Sequence, residues 1–165
     1  MKVVINKCFG GFGLSPRAVK RLAELNGKEC YFFRHSYKHL GETDDYDVLV
    51  SLTLTQAEEW GSFVDAYDIP NPNEVLRQPA AKEWPAMTKE EKETHNALYS
   101  KHSLYYDNED RANPKLIQVI EELGSELASG TYSKLELVEI PDGIEYEIDE
   151  YDGQEHIAEK HRTWG

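Results

Sequence analysis

The first 27 residues constrain the fold more than any other stretch. Val3-Val4-Ile5-Asn6 is a β-branched run, Cys8-Phe9-Gly10-Gly11-Phe12-Gly13 is a glycine turn, and Ser15-Pro16 opens an amphipathic segment that ends at Asn26-Gly27. Such a run reads as a buried strand. Serine at the N-cap, proline preset for the first helical position and Asn-Gly as the stop predict a helix over residues 15–26. Its apolar stripe is Ala18, Val19, Leu22 and Leu25. Cys30 to Arg34 reads as the next strand, so strand, helix and strand fall within 34 residues, the size of a βαβ unit.

The glycine turn also carries a chemical reading. Glycines let the backbone approach a ligand, and the free N–H groups at a helix start favour an anion. Gly10, Gly11, Gly13 and Ser15, with Arg17, Lys20 and Arg21 on the following helix, form a candidate site for a small phosphorylated, nucleotide-like ligand. Neither standard phosphate motif is met. A Walker loop needs Gly-Lys-Ser/Thr where Leu14-Ser15 follow Gly13, and a dinucleotide fingerprint needs glycine where Pro16 stands. The competing reading is a tight turn that packs Phe9 and Phe12 into the core.

Asp47 to Leu54 alternates as a strand, and Thr55 with Glu58 suggests a capping box for a short helix to about Ala66. Pro70, Pro72, Pro79 and Pro85 then break residues 69–86 into a loop carrying Trp84. Thr88 and Glu91 form another capping box, for a polar helix to about His102. Asn113-Pro114 opens a helix over 113–128 through Leu116, Ile117, Val119, Ile120 and Leu123. Lys134 to Ile140 reads as a strand, turned at Pro141-Asp142-Gly143 into Ile144, Tyr146 and Ile148, which alternate with acids. Gln154 to His161 reads as one or two helical turns. The fold expected is α+β: a single domain over 1–165, with a mixed β-sheet, two packed helices and a C-terminal antiparallel hairpin, residues 41–106 forming an insertion or lid.

Of the net charge of −13 over 165 residues, residues 107–165 carry −11. Glu145, Glu147, Asp149, Glu150 and Asp152 form an acidic face suited to a basic protein partner, and that charge argues against direct nucleic-acid binding and against an anionic membrane. Tyr99, Tyr105, Tyr106, Tyr132, Tyr146 and Tyr151 fall in or near this acidic half and add contact area of the kind found in protein interfaces. No run approaches the roughly 20 apolar residues of a membrane span, so a soluble, cytoplasmic protein is expected. Cys8 and Cys30 sit in no CxxC or zinc spacing and read as reduced core thiols.

No motif calls for a cofactor or a resident metal. Asp149, Glu150, Asp152, Glu155 and His156 are dense in ligand atoms, but a calcium loop counted from Asp149 meets Tyr151 and Gly153 where oxygens are required. His156 and His161 are five apart, and His35 and His39 lack the glutamate of a HExxH motif.

The two ends together resemble a family of small phage- and prophage-encoded proteins of no assigned activity. The resemblance rests on Val3-Val4-Ile5-Asn6 with Cys8-Phe9-Gly10-Gly11-Phe12-Gly13-Leu14-Ser15, and on Val138-Glu139-Ile140-Pro141-Asp142-Gly143 with Ile148-Asp149-Glu150-Tyr151-Asp152-Gly153. Glu155, Glu159 and His161-Arg162-Thr163-Trp164 complete it. It spans residues 1–40 and 113–165, and implies a phage context in which small acidic proteins inhibit or sequester against host defence. The expected function is a non-enzymatic binding protein that sequesters a phosphorylated ligand or blocks a host protein, with homo-oligomerisation through the hairpin edge as a further expectation. A polyanion mimic of DNA and a metal-assisted hydrolase using the C-terminal carboxylates with His156 are the alternatives.

Overall fold

A computed structural model of the chain describes residues 1–42, 48–76, 84–161 and 164. Asp47, Pro79, Arg162 and Thr163, named above, lie outside the described residues. The elements run β1 (Lys2–Asn6), α1 (Pro16–Leu25), β2 (Tyr31–His35), β3 (Leu49–Leu52), α2 (Leu54–Trp60), β4 (Asp65–Tyr67), α3 (Pro72–Val75), α4 (Lys89–His102), α5 (Pro114–Ala128), β5 (Leu135–Glu139), β6 (Tyr146–Tyr151) and β7 (Gln154–Glu159). They divide into two compact units, residues 1–26 with 106–165 and residues 27–105. Among the described residues, no helix is long and apolar enough to cross a membrane.

In the first unit, α1 forms where its caps place it. Ser15 Oγ accepts from the Ala18 N–H at 3.1 Å, Pro16 fills the first helical position, and Gly27 takes a positive φ of 71° just beyond the end. Ala18 and Leu22 pack with Leu116, Val119, Ile120 and Ala128 of α5 and with Val4 and Leu135 of the sheet. Each large apolar side chain so buried contributes about 1.5–3 kcal/mol. Gly124, at φ 79° and ψ 162°, kinks α5. The last turn beyond it is tied to β5: Ser125 Oγ donates to the Leu135 carbonyl, and Ser129 Oγ accepts from the Leu135 N–H at 2.9 Å.

The α+β class, the two packed helices and a C-terminal antiparallel hairpin are present as expected, but the strand partners differ. Instead of one mixed sheet, the described strands form three small antiparallel sheets, β1-β5, β3-β2-β4 and β6-β7. The βαβ reading of the N-terminus fails because β1 takes β5 as its neighbour, from Lys2 opposite Glu139 to Asn6 opposite Leu135, while β2 pairs with β3 and β4. Apolar pattern marks a strand without naming its partner. The hairpin also shifts: Pro141-Asp142-Gly143 does not join paired strands, and residues 154–159 are strand, not helix. Its turn is Asp152-Gly153, with φ of 50° and 86°, the two positive values of a type I′ turn.

The second unit centres on β2. Phe33, Tyr67 and Leu76 form its buried cluster, with Tyr31, Leu49, Ile69 and Leu98 packed around it. The helix expected over residues 55–66 begins and ends earlier than the Thr55–Glu58 pattern suggests. Thr53 and Gln56 make the capping box that starts α2, and Gly61, at φ 62°, ends it before β4. Thr88 and Glu91 cap α4 with both arms of the box present, and that helix buries none of its residues. Arg34 holds Glu42 in a bidentate pair, Nη1 to Oε2 at 2.9 Å and Nη2 to Oε1 at 2.5 Å, and its guanidinium lies 4.7 Å from the Trp60 ring centroid.

Arg34, with the Tyr37 N–H, holds the Glu42 carboxyl down at about 2. A carboxyl held below its ordinary 4.5 stabilises the folded state fully above about pH 4.5, and that contribution is lost as pH falls toward 2. Glu42→Gln is expected to flatten this part of the acid limb in urea titrations followed by circular dichroism between pH 5 and 2, and an unchanged limb would show that the pair does not contribute.

Candidate functional site

Asn6 ends the β-branched run, and its fully buried side chain organises one end of the first unit. Its Nδ2 donates to the carbonyls of Cys8 and Gly153, each at 2.6 Å, and its Oδ1 accepts from the N–H groups of Cys8 at 3.2 Å and Lys134 at 2.8 Å. Both donors and both acceptor sites of the amide are therefore in use. They join the end of β1, the glycine loop, the start of β5 and the β6–β7 turn.

The Asn6 backbone N–H points the other way and is accepted by Glu155 Oε2 at 2.8 Å. Glu155 is buried, and its Oε1 accepts from Arg111 Nη2 at 3.2 Å. The Arg111 guanidinium lies 3.2 Å from the Phe12 ring centroid, and its carbonyl accepts from the Val4 N–H at 2.9 Å. Arg111 and Glu155 thus cover the edge of β1 that β5 leaves open. Burial pushes the Arg111 pKa down from its ordinary value, against the pull of Glu155.

The candidate anion residues are placed as follows. A Cβ at Gly10 would lie 2.0 Å from the Tyr132 carbonyl oxygen, so this glycine is required for close backbone approach. Gly11 has φ 88° and open space around it. The Gly13 carbonyl accepts from the Gly130 N–H at 2.9 Å and from Ser133 Oγ at 2.6 Å. Ser15 Oγ caps α1 and donates to the Leu127 carbonyl at 2.5 Å. Arg21 pairs with Glu122, Nε to Oε2 at 2.7 Å, and with Gln118 it holds that carboxyl down at about 2. Arg17 and Lys20 are half-buried on the same helix. Phe12 packs against the core, whereas Phe9 is 60 % exposed, which corrects the expectation that both rings turn inward.

The five acids of the C-terminal segment are all exposed. Glu145 precedes β6, and its carbonyl accepts from the Lys160 N–H at 2.9 Å. Glu147 and Asp149 share one face of β6, where His156 Nε2 lies 3.4 Å from Asp149 Oδ2. Glu150 is on the opposite face and accepts from the Gly153 N–H at 2.7 Å, bracing the turn that Asp152 begins. A Cβ on Gly153 would come within 2.4 Å of the Gly11 nitrogen and 2.5 Å of the Phe9 oxygen. The turn, the glycine loop and Tyr132 therefore meet at one end of this unit. Tyr132 is 61 % exposed and Tyr151 78 % exposed.

The dense acid and histidine run is split by the strand period. Glu155 faces β1 while His156 faces solvent with Asp149, so the run is divided between the two faces of the hairpin. His35 Nε2 pairs with Asp65 at 3.2 Å, while the His39 ring lies against Tyr37. Among the described residues, no group of three or more His, Cys, Asp or Glu is placed to hold a metal ion. Cys8 and Cys30 form no disulfide and are half-buried, not in the core as expected. Sequence reasoning missed Arg111, read Asn6 only as the end of a strand and placed Glu155 in a carboxylate cluster, not against β1. The available signals were an asparagine closing a buried strand and the Asp-Gly dipeptide that fixes the facing of β7. No protein-family model, curated protein or solved structure matches this chain.

Asn6→Ala would orphan the four backbone groups that its amide serves, and is expected to destabilise the first unit on the order of 4 kcal/mol in urea unfolding, since each buried unmet group costs about 1–3 kcal/mol. A loss below about 1 kcal/mol would show that water replaces the amide. Gly143 and Gly153 both have positive φ, but only Gly153 meets backbone where a Cβ would stand. Gly143→Ala is expected to cost about 1–2 kcal/mol from conformation alone. Gly153→Ala should exceed it by more than about 1 kcal/mol through overpacking, and equal losses in the same assay would mean that the contact relaxes.

Proposed function

We propose that this chain is a non-enzymatic binding protein of phage type that blocks a host protein by occupying its basic surface, in the service of counter-defence. The observation that carries the reading is the end of the first unit, where Phe9, Tyr132 and Tyr151 are exposed on three segments whose backbones pack against one another. Large aromatics presented on a braced backbone lose little conformational freedom on binding and serve as interface anchors. The adjoining Glu147, Asp149, Glu150 and Asp152 supply the charge that would select a basic partner and speed encounter.

A partner surface that itself binds nucleic acid is the special case in which the hairpin acts as a polyanion mimic. Sequestration of a phosphorylated ligand draws less support from the glycine loop. Gly10 is packed on Tyr132, Ser15 is committed to its cap and to Leu127, and Arg21 is paired with Glu122.

Fluorescence anisotropy with labelled Arg-rich and Lys-rich peptides tests the reading. Binding is expected to weaken with salt, and to fall about tenfold in Glu147→Lys with Asp149→Lys and in Tyr151→Ala. Absence of binding at low salt, or affinity indifferent to both variants, would reject a basic partner. Thermal shifts against a nucleotide panel test the other reading, because a ligand at 100 times its Kd stabilises by about 2.7 kcal/mol. A shift abolished by Arg17→Glu would move the assignment to sequestration.

A further inference from the structure

We infer that the β6–β7 hairpin is a latched arm, docked on the first unit through the buried carboxylate of Glu155 and able to open as a unit while α1 and α5 remain folded. Its hydrogen-bonded attachment centres on one buried carboxylate. None of residues 144–161 belongs to the apolar core built by α1, α5, β1 and β5, and Glu155 is the one buried residue among them. The side-chain bonds from the hairpin's strands and turn to the rest of the unit are those of Glu155 to Asn6 N and Arg111 Nη2, Gly153 O to Asn6 Nδ2, and a long one from Gln154 Nε2 to the Lys7 carbonyl at 3.5 Å. An isolated two-stranded hairpin is marginal in water, so this one depends on its docking.

The latch has few substitutes for its central carboxylate. Arg111 Nη1 is buried and has no hydrogen-bond partner among the described residues, so the carboxylate hydrogen bond to the guanidinium is that of Glu155, while Asp107 acts on it through charge alone. Glu150 lies directly opposite Glu155 in the β6–β7 register, so without the Arg111 guanidinium the docked Glu155 faces a like charge that this cation no longer offsets. Removing one member of a buried pair strands the other's charge, which favours the open arm over the docked one. Tyr151 and Asp152 ride on this arm, so the docked fraction would scale the apparent affinity for a partner that needs Phe9 and Tyr132 beside them. That consequence rests on the proposed function, whereas the latch itself does not.

Hydrogen exchange read by mass spectrometry on the full chain tests it. In the wild type, amides of residues 146–159 are expected to exchange through an opening that leaves α1 and α5 protected. Glu155→Gln keeps an oxygen for the Asn6 N–H but removes the charge, and should speed exchange across 146–159 by at least about tenfold while leaving α1 and α5 unchanged. Arg111→Met should do the same. Uniform exchange across the first unit of the wild type would overturn the inference, as would an unchanged hairpin in both variants or loss of α1 and α5 protection along with it. A selectively opened arm with no binding to basic peptides would keep the latch and reject the proposed function, and binding with uniform exchange would do the reverse.

Discussion

Asn6 is buried with both amide protons and both carbonyl acceptor sites committed, to Cys8, to Lys134 at the head of β5 and to Gly153 in the terminal turn. Lys134 and Gly153 each lie more than a hundred residues from Asn6 in the sequence, and the one amide reaches both. The apolar core of α1, α5, β1 and β5 supplies the bulk of the burial, but apolar packing is non-directional and does not choose a register. The amide does. Its four bonds fix where the glycine loop leaves β1 and where the β6–β7 turn comes to rest, and the loop's close contacts, with that turn and with Tyr132, then require glycine at 153 and at 10.

A strand as acidic as β6 is tolerated because of how its charges are distributed. Glu147 and Asp149 face solvent, Glu150 is drawn onto the turn N–H of Gly153, and the carboxylate that does face inward, Glu155, meets a strand-edge N–H and an arginine. Arg111 serves three needs at once. Its guanidinium answers Glu155 and covers Phe12, and its carbonyl takes the Val4 N–H. The open edge of β1 is thereby closed by a side chain and a loop, not by another strand, which removes a template for edge-to-edge pairing.

Three helix caps are legible in the sequence, whereas strand partners are not. Ser15-Pro16, Asn113-Pro114 and Thr88 with Glu91 each mark a helix start, because a cap is a contact between residues two or three apart. Strand partners depend on segments far away in the chain, so β1 and β2 looked like neighbours and belong to different sheets. The Asp152-Gly153 turn was legible in principle. Its acids resembled a ligand cluster, and the Gln, Glu and Ala that follow are acceptable helix formers, so a type I′ turn was passed over in favour of helix. Of the candidate site, the exposed acids could be read directly from their alternation with Tyr146 and Ile148. The Asn6, Arg111 and Glu155 network had no pattern of its own, since three residues from three segments acquire meaning only once β1 and β7 are side by side.

The glycine loop shows why composition alone leaves a functional reading open. A glycine that brings backbone close to a phosphate and one that brings backbone close to another backbone look identical in sequence. What separates them is where the surrounding polar groups are spent. Here the Gly13 carbonyl, the Ser15 hydroxyl and the Arg21 guanidinium are all engaged within the protein, and the close approaches at Gly10 and Gly153 are to main-chain atoms. Phe9, Tyr132 and Tyr151 are exposed on the segments bearing these contacts, so the contacts that hold the loop also present the aromatic surface.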